Sequence, residues 1–435
     1  MRKSLFANSI LIALIILENL FLFYFYKNGL LSQGKNAISL FLSSLLFGIV
    51  LVYKFYNANI SDEQYGPPKN KAFYATLLFF SAGLVLLGVG YYFVLAKHPV
   101  SAHESDIIPL IQVICRRFMA GEYPYRVIND FGYPLQATYL PLQWMPFTVA
   151  ELFHMDYRWV AFAVWCIAAL WVYARSQKIN NRMLSVLMLL LLLGANCILL
   201  PDSNNRIIWA TVEIMIAGYY MLLISGLNQE NAIIQGIFIS CCLLSRYSLI
   251  LWLPLYAFIL FFSGKRKLLL GSATTVLVMV LVFYVLPFMS KDWALFYKSY
   301  KYYDKAALHE WTYLNYDGFP SQLYEGTGYA YYFYTRFTNL DIMERIKLMQ
   351  KVHLVTCLAV IAVMAAWYWF NRKKINYKIF LLASFKIYLA FFLFLIQVPY
   401  VYLMITGSFV SIAIFCEQAR YKVYAAGIQA TKPIY

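Results

Sequence analysis

Charge is scarce in this chain. Asp, Glu, Lys and Arg make up 13 % of its 435 residues while 62 % are hydrophobic, and no soluble core buries that much apolar side chain. Acidic residues are the scarcer sign, 20 against 36 Lys and Arg, for a net charge of +16. That excess does not build a basic face for nucleic acid, because the positive residues sit in short clusters between apolar runs, as cytoplasmic anchors do. Proline (14) and glycine (20) fall below the ~5 % and ~7 % of an average chain, which excludes collagen-like and low-complexity organisation. Cysteine offers no framework: Cys166, Cys197, Cys241, Cys242, Cys357 and Cys416 lie in or beside apolar runs, and no CxxC or Cys/His ligand spacing occurs. Neither a disulfide scaffold nor a metal site is therefore expected, and no cofactor is indicated. No repeat of fixed period divides the chain, so 1–435 reads as a single membrane domain.

Long apolar runs are what the chain has in their place. About 20 apolar residues cross a bilayer core of about 30 Å as a helix, and the pattern gives spans near 5–26, 37–55, 73–96, 158–174, 183–200, 207–226, 231–245, 247–262, 268–288, 350–370, 377–396 and 398–416. The expected fold is all-α, a polytopic bundle of about 11–13 spans. The first run follows Met1-Arg2-Lys3 and is too long for a signal-peptide core, so the N-terminus is expected inside. Arg175/Lys178/Arg182, Lys265/Arg266/Lys267, Arg372/Lys373/Lys374 and the tail from Arg420 all fall on that same side if 231–262 is a short hairpin with its tip at Ser245-Arg246-Tyr247. The same solution makes 137–153, broken by Pro141 and Pro146, a re-entrant or interfacial segment. The alternative, one long helix at 231–262 and a full crossing at 137–153, puts Arg175/Lys178/Arg182 outside, and the charge rule favours the hairpin.

Between His98 and Pro146 the chain stops reading as membrane span. Ile107, Leu110, Ile111, Ile114 and Phe118 recur at helical spacing and make a juxtamembrane helix with one apolar stripe, expected at the membrane surface with its polar residues at headgroup depth. Glu104-Ser105-Asp106 precedes this helix and Arg116-Arg117 lies near its end. The structural role open to Asp106 is helix N-capping, worth about 1 kcal/mol, and Glu104 is open to mere solvation. An arginine pair on the side that should be poor in positive charge points instead to an anionic ligand.

An acidic residue at the outer end of an early span, the juxtamembrane helix, the turn Gly121, Pro124, Tyr125 and the stretch Tyr139, Pro141, Leu142 resemble the integral-membrane glycosyltransferases of C-type fold. Family 87, which uses polyprenol-phosphate-mannose, is the nearest resemblance, continued in Leu244-Ser245-Arg246-Tyr247 and Leu253-Pro254. The family carries its acidic residue after the first span and this chain after the third, so 1–60 reads as an added N-terminal helical hairpin. Position 246 is arginine where lysine is common. The resemblance implies a hexosyltransferase, mannosyltransferase-like, moving a hexose or pentose from a polyprenyl-phosphate-linked sugar to a glycan or glycolipid acceptor during cell-envelope glycan biosynthesis, in the bacterial cytoplasmic membrane. It implies Asp106 as the catalytic base, with Glu104 its neighbour, and a carboxylate taking the proton of an attacking hydroxyl is general-base catalysis. Arg246 and Arg116 or Arg117 are the expected phosphate-binding residues, since a phosphate leaving group needs preorganised positive charge. Each is also open to a role as headgroup anchor. Tyr125 and Tyr139 are expected at the substrate.

The segment 289–349, on the same side as 98–146, is rich in Tyr and Trp. Residues nearest the spans suit an aromatic belt. Those in the middle suit stacking on sugar faces, and Gly326 and Gly328 would allow a lid. His309-Glu310 reads as a second acid/base pair, and His309 and Trp311 as substrate-binding. Two rival functions share the lipid-linked substrate. A transporter or flippase would show pseudo-symmetric halves and mid-bilayer charges, of which only Glu18, Glu213 and Lys386 are present. A polymerase or ligase would share the large outer loop.

Overall fold

The computed structural model describes residues 2–62, 71–132, 134–176 and 182–424. Lys178 and most of the polar link 61–71 lie outside the described residues. Among the described residues, eight helices are long and apolar enough to cross a membrane, and four shorter apolar ones lie among them at Met183–Cys197, Glu213–Leu227, Ala232–Leu243 and Tyr247–Phe262. These twelve (8 + 4) coincide with the twelve apolar runs of the sequence, and the protein is an all-α polytopic helical bundle.

In chain order the principal helices are α1 (Arg2–Phe23), α2 (Gln33–Phe55), α3 (Lys71–Lys97), α4 (Ile107–Met119), α5 (Tyr157–Ser176), α6 (Arg182–Cys197) and α7 (Glu213–Leu227). They continue as α8 (Ala232–Leu243), α9 (Leu253–Phe262), α10 (Arg266–Val280), α11 (Leu295–Thr312), α12 (Ile342–Asn371), α13 (Tyr377–Phe394) and α14 (Val401–Gln418). α10 runs on through π-helical turns to Met289, with Pro287 inside them, where the missing N–H of proline leaves the ordinary ladder incomplete. β1 (Asn59–Asp62) pairs antiparallel with β2 (Tyr421–Tyr424).

α7, α13 and α14 form the centre, apolar and buried nearly all round, as helices wrapped by others must be. The N-terminal hairpin is part of this bundle, with α2 packed along α13 and α1 against α14. Small residues set the closest contacts, because lipid tails give no hydrophobic drive and association rests on backbone approach. A Cβ on Gly218 of α7 would stand 3.1 Å from the Trp165 Cα of α5, and one on Gly236 of α8 would stand 2.9 Å from the Ser272 carbonyl oxygen of α10.

Backbone direction sorts the connections into two ends. At one end Leu142 N–H donates to Leu244 O (2.9 Å) and Tyr329 N–H to Phe394 O (3.0 Å). There too Lys27 binds Ser203 O (2.7 Å) and the Arg158 guanidinium binds His98 O (2.6 Å). At the other end Lys265 and Lys378 share Glu230, Arg175 and Arg420 share Glu417, and β1 meets β2. The described members of the positive clusters are all at this second end, and Asp106, Arg246 and 290–341 are all at the first. Residues 231–262 thus form the hairpin, and 137–153 forms short turns, Pro141–Trp144, Met145–Phe147 and Thr148–Leu152, without crossing.

Two expectations about the non-membrane parts change. The apolar stripe of α4 faces protein and not lipid: Ile108, Leu110, Ile111, Ile114 and Cys115 are buried because the 141–152 turns fold beneath them. The segment 289–349 is a small helical layer, not an open loop, with a core of its own made by Ala307, Trp311, Leu323, Ala330, Phe333, Ile346, Met349 and Val398. A capping box, Asp341 on the Glu344 N–H and Glu344 on the Asp341 N–H, starts α12 beneath it, each bond satisfying a donor that the helix leaves open.

Candidate functional site

The site grows from the start of α4. Ser105 Oγ donates to Ala210 O (2.9 Å), which ties the approach to α4 onto the segment before α7. Asp106 occupies the N-cap position, but its backbone is already helical (φ −83°, ψ −12°) and its carboxylate makes no capping hydrogen bond. Its charge bears on the phenols of Tyr139, Tyr302 and Tyr400.

Tyr139 forms the next wall. Its carbonyl accepts the Tyr125 hydroxyl (3.0 Å), which in turn accepts the Trp144 indole N–H (3.1 Å), and Pro141 then starts the short turn at its N1 position, where proline loses no hydrogen bond. The Leu142–Leu244 backbone bond brings this wall against the hairpin tip. At that tip Arg246 pairs with Glu213, the first residue of α7; their side chains are 22 % and 3 % exposed. Arg246 Nε and Glu213 Oε2 keep no hydrogen-bond partner among the described residues, so the guanidinium is oriented by its carboxylate yet has donor capacity left.

The third wall comes from α11 and the turn before α14. Tyr400 donates to Glu310 Oε1 (2.8 Å), and its ring stacks on Tyr402 at 4.8 Å and 14°. Burial pushes the Tyr139 phenol far up, with Asp106 adding and Arg246 opposing. Burial and then Asp106 raise Tyr302. Burial, then Glu310, then Tyr139 and Asp106 raise Tyr400. One carboxylate thus bears on three phenols from three chain segments, and phenols held in the neutral form keep their O–H.

Glu325 sits in a strap fastened on two sides. The Tyr26 hydroxyl binds Tyr324 O, Gln33 binds Leu323 O (2.6 Å) and Asn36 binds Gly326 O (2.6 Å), while Thr327 binds Pro399 O (2.8 Å). Gly326 has φ +71° and lies against the Tyr26 ring, a conformation open to glycine. The segment expected as a lid is tied by these hydrogen bonds to the turn after α1, to α2 and to the turn before α14. Burial lifts the Glu325 carboxyl to about 7, opposed by the Val401 N–H, Arg206 and Lys27 and helped by Glu310. The folded form then binds this proton more tightly than the unfolded chain, so its contribution to stability is fully present below the unfolded carboxyl pKa and is lost as pH rises through about 7. The thermal midpoint in a fixed detergent is expected to fall between pH 5 and pH 8, and Glu325→Gln to flatten that slope. An unchanged slope in the variant would assign it to other groups.

Several expected residues stand elsewhere. Arg116 and Arg117 are ten and eleven residues along α4 from Asp106, about 15 Å at 1.5 Å per residue. Arg116 Nε binds Glu151 (2.8 Å), and Arg117 holds the carbonyls of Arg126 (2.8 Å) and Val127 (3.4 Å). Tyr125 is buried and positions Tyr139. Trp311 is 0 % exposed with its indole N–H on Gln397 O (2.9 Å), so its ring has no free face for a sugar. His309 is exposed and lies against Tyr313 (5.7 Å), leaving Glu310 as the member of that pair bound to Tyr400. Glu104 is exposed. Among the described residues, no group of three or more His, Cys, Asp or Glu is placed to hold a metal ion.

Glu213, Tyr400, Tyr402 and Glu325 are the site residues that sequence reasoning did not single out. A lone arginine at the break of an apolar stretch requires a counter-charge, and Glu213 was one of three intramembrane charges available. Pro399-Tyr400-Val401-Tyr402 interrupts an apolar run in the same way. No protein-family model, curated protein or solved structure matches this chain.

Proposed function

We propose that the protein is a polyprenyl-phosphate-sugar-dependent glycosyltransferase acting at the end of the bundle that carries Asp106. What supports this reading is that the charges of Asp106 and Arg246 both bear on the buried Tyr139 phenol, which puts a base and a cation on either side of one residue. In the reaction the acceptor oxygen bonds to the anomeric carbon, the bond from that carbon to the phosphate oxygen breaks, the acceptor proton passes to Asp106, and polyprenyl phosphate leaves toward Arg246. Glu310 suits accepting from sugar hydroxyls and the phenols of Tyr139 and Tyr302 suit donating to them, while the Tyr400 hydroxyl is already given to Glu310.

Depth supports the same reading. α8 has 12 residues and rises about 18 Å against a core of about 30 Å, so the hairpin tip with Arg246 stops below the far face, where a lipid-linked phosphate is reached from the membrane. By the charge rule the end holding Arg175, Lys265 to Lys267 and Arg372 to Lys374 is cytoplasmic, the N-terminus is inside, and the site faces outward from a bacterial cytoplasmic membrane. Single cysteines at Ser105 and Ser321, in a background with Cys115 and the exposed Cys197 replaced by Ser, are expected to react with an impermeant thiol reagent in intact cells, and one at Lys373 to be protected. Protection of either of the first two removes the common outward site.

The function itself is tested with purified protein in nanodiscs, by following radiolabel from polyprenyl-phosphate-sugar into a chromatographically identified product. Movement of intact lipid-linked sugar across a bilayer with no new glycosidic bond would assign the protein to transport.

A further inference from the structure

The end of the bundle opposite the site carries cations that nothing in the proposed reaction uses. Gly264, at φ +76°, turns the chain from α9 into α10 and presents Lys265, Arg266 and Lys267 around a cleft of about 580 Å³, also lined by Glu230, Ala232 and Leu268. Glu230 is already satisfied: Lys265 lies 2.9 Å and Lys378 3.5 Å from its Oε1, and the Tyr377 hydroxyl donates to the same oxygen (3.1 Å). Arg266, Lys267, Arg372, Lys373 and Lys374 have no ion pair among the described residues. The cluster therefore holds a strong local surplus of positive charge.

Two of these cations are built in and do not merely hang in solvent. The Arg266 guanidinium lies 4.5 Å over the Phe261 ring, and that of Arg372 lies 4.1 Å over Trp369 and 6.0 Å over Phe262. The Phe262 and Trp369 rings touch at 4.7 Å, so the two arginines share one aromatic seam between α9 and α12. A guanidinium stacked on a ring keeps its N–H edge free in a fixed plane, the geometry that binds phosphate oxygens in pairs. Arg372 Nη1 is buried with no hydrogen-bond partner among the described residues. Membrane-side apolar surface adjoins the seam, with Phe261, Leu270, Trp369 and Phe370 all exposed, which suits acyl chains descending from a headgroup held above.

We infer that Arg266 and Arg372, backed by Lys265 and Lys267, form a binding site for the phosphodiester headgroup of an anionic phospholipid. The neighbouring aromatic and aliphatic surface selects a lipid over free phosphate, and clustered cations at a helix-end seam favour an anionic headgroup over a zwitterionic one. The site needs nothing from the reaction at the other end.

The test uses the full-length protein in neutral detergent, titrated with phosphatidylglycerol, phosphatidylcholine or inorganic phosphate and read by native mass spectrometry and by thermal midpoint. Phosphatidylglycerol is expected to bind roughly tenfold more tightly than phosphatidylcholine and to raise the midpoint, whereas inorganic phosphate does not. Arg266→Gln/Arg372→Gln is expected to bring both lipids to one affinity, and Arg266→Lys/Arg372→Lys to keep part of the preference because charge survives without the planar fork. Arg266→Gln alone, at an exposed position, covers the case in which the double variant fails to fold, and is expected to lose part of the preference. Equal binding of both lipids by the wild type, full preference in the Gln variants, or stabilisation by inorganic phosphate equal to that by phosphatidylglycerol would overturn the assignment.

Discussion

Asp106→Asn is expected to lower turnover per folded molecule by a factor on the order of 10²–10⁴, or about 2.7–5.4 kcal/mol of transition-state stabilisation. The substitution keeps the shape and one oxygen of the side chain and removes the basicity that a weakly nucleophilic sugar hydroxyl requires. The local structure sharpens this test, because the Asp106 side chain makes no capping hydrogen bond at α4. Asp106→Ala is expected to lose the same turnover, and any stability it loses is not the roughly 1 kcal/mol of a working cap. Donor binding should persist in both variants, since Arg246 and Glu213 lie on other elements. Glu104→Gln, at an exposed position, is the control and should leave turnover unchanged. Radiolabelled transfer normalised to folded protein makes the measurement, and an active Asn variant would take Asp106 out of the mechanism.

The helices of this bundle were legible because a bilayer imposes a length and composition on each span. The hairpin tip at Arg246 was legible for a related reason, since a charge in an apolar stretch belongs at a break and the positive clusters choose the side. Pairings between distant segments were not legible. Glu213 meets Arg246 across 33 residues, and Tyr400 meets Glu310 across 90, and no local periodicity encodes such distances. The same blindness misplaced burial in 289–349. An aromatic-rich stretch reads alike whether its rings stand in solvent or pack on one another, and only the partners of Trp311, Phe333 and Met349 decide which. Arg116 shows the reverse error: its charge was legible, but Glu151 had to fold beneath α4 before it became clear that the charge is already used.

Lys386→Ala is expected to cost about 3–5 kcal/mol of stability, the penalty for leaving one charge of a buried pair uncompensated. Lys386 lies within α13 and Glu18 within α1; they are 0 % and 1 % exposed, with Nζ 2.8 Å from Oε1, and the ammonium also donates to Gly407 O of α14 (2.9 Å). One side chain thus joins three helices, and through it the N-terminal hairpin is fastened to the centre of the bundle. Attraction between such charges is strong, but the cost of removing both from water is comparable, so the pair as a whole need not stabilise the fold. Glu18→Leu combined with Lys386→Met, which fills the same space without charge, is accordingly expected to restore stability to near or above that of the wild type. The comparison of Lys386→Met, Glu18→Leu and the double variant by thermal midpoint in one detergent, with Lys386→Ala alongside, tests this, and the coupling between the two positions is the quantity of interest. If Lys386→Ala alone were as stable as the wild type, Glu18 would be held comfortably without its partner, and the hairpin would owe its attachment to the apolar packing of α2 along α13 instead.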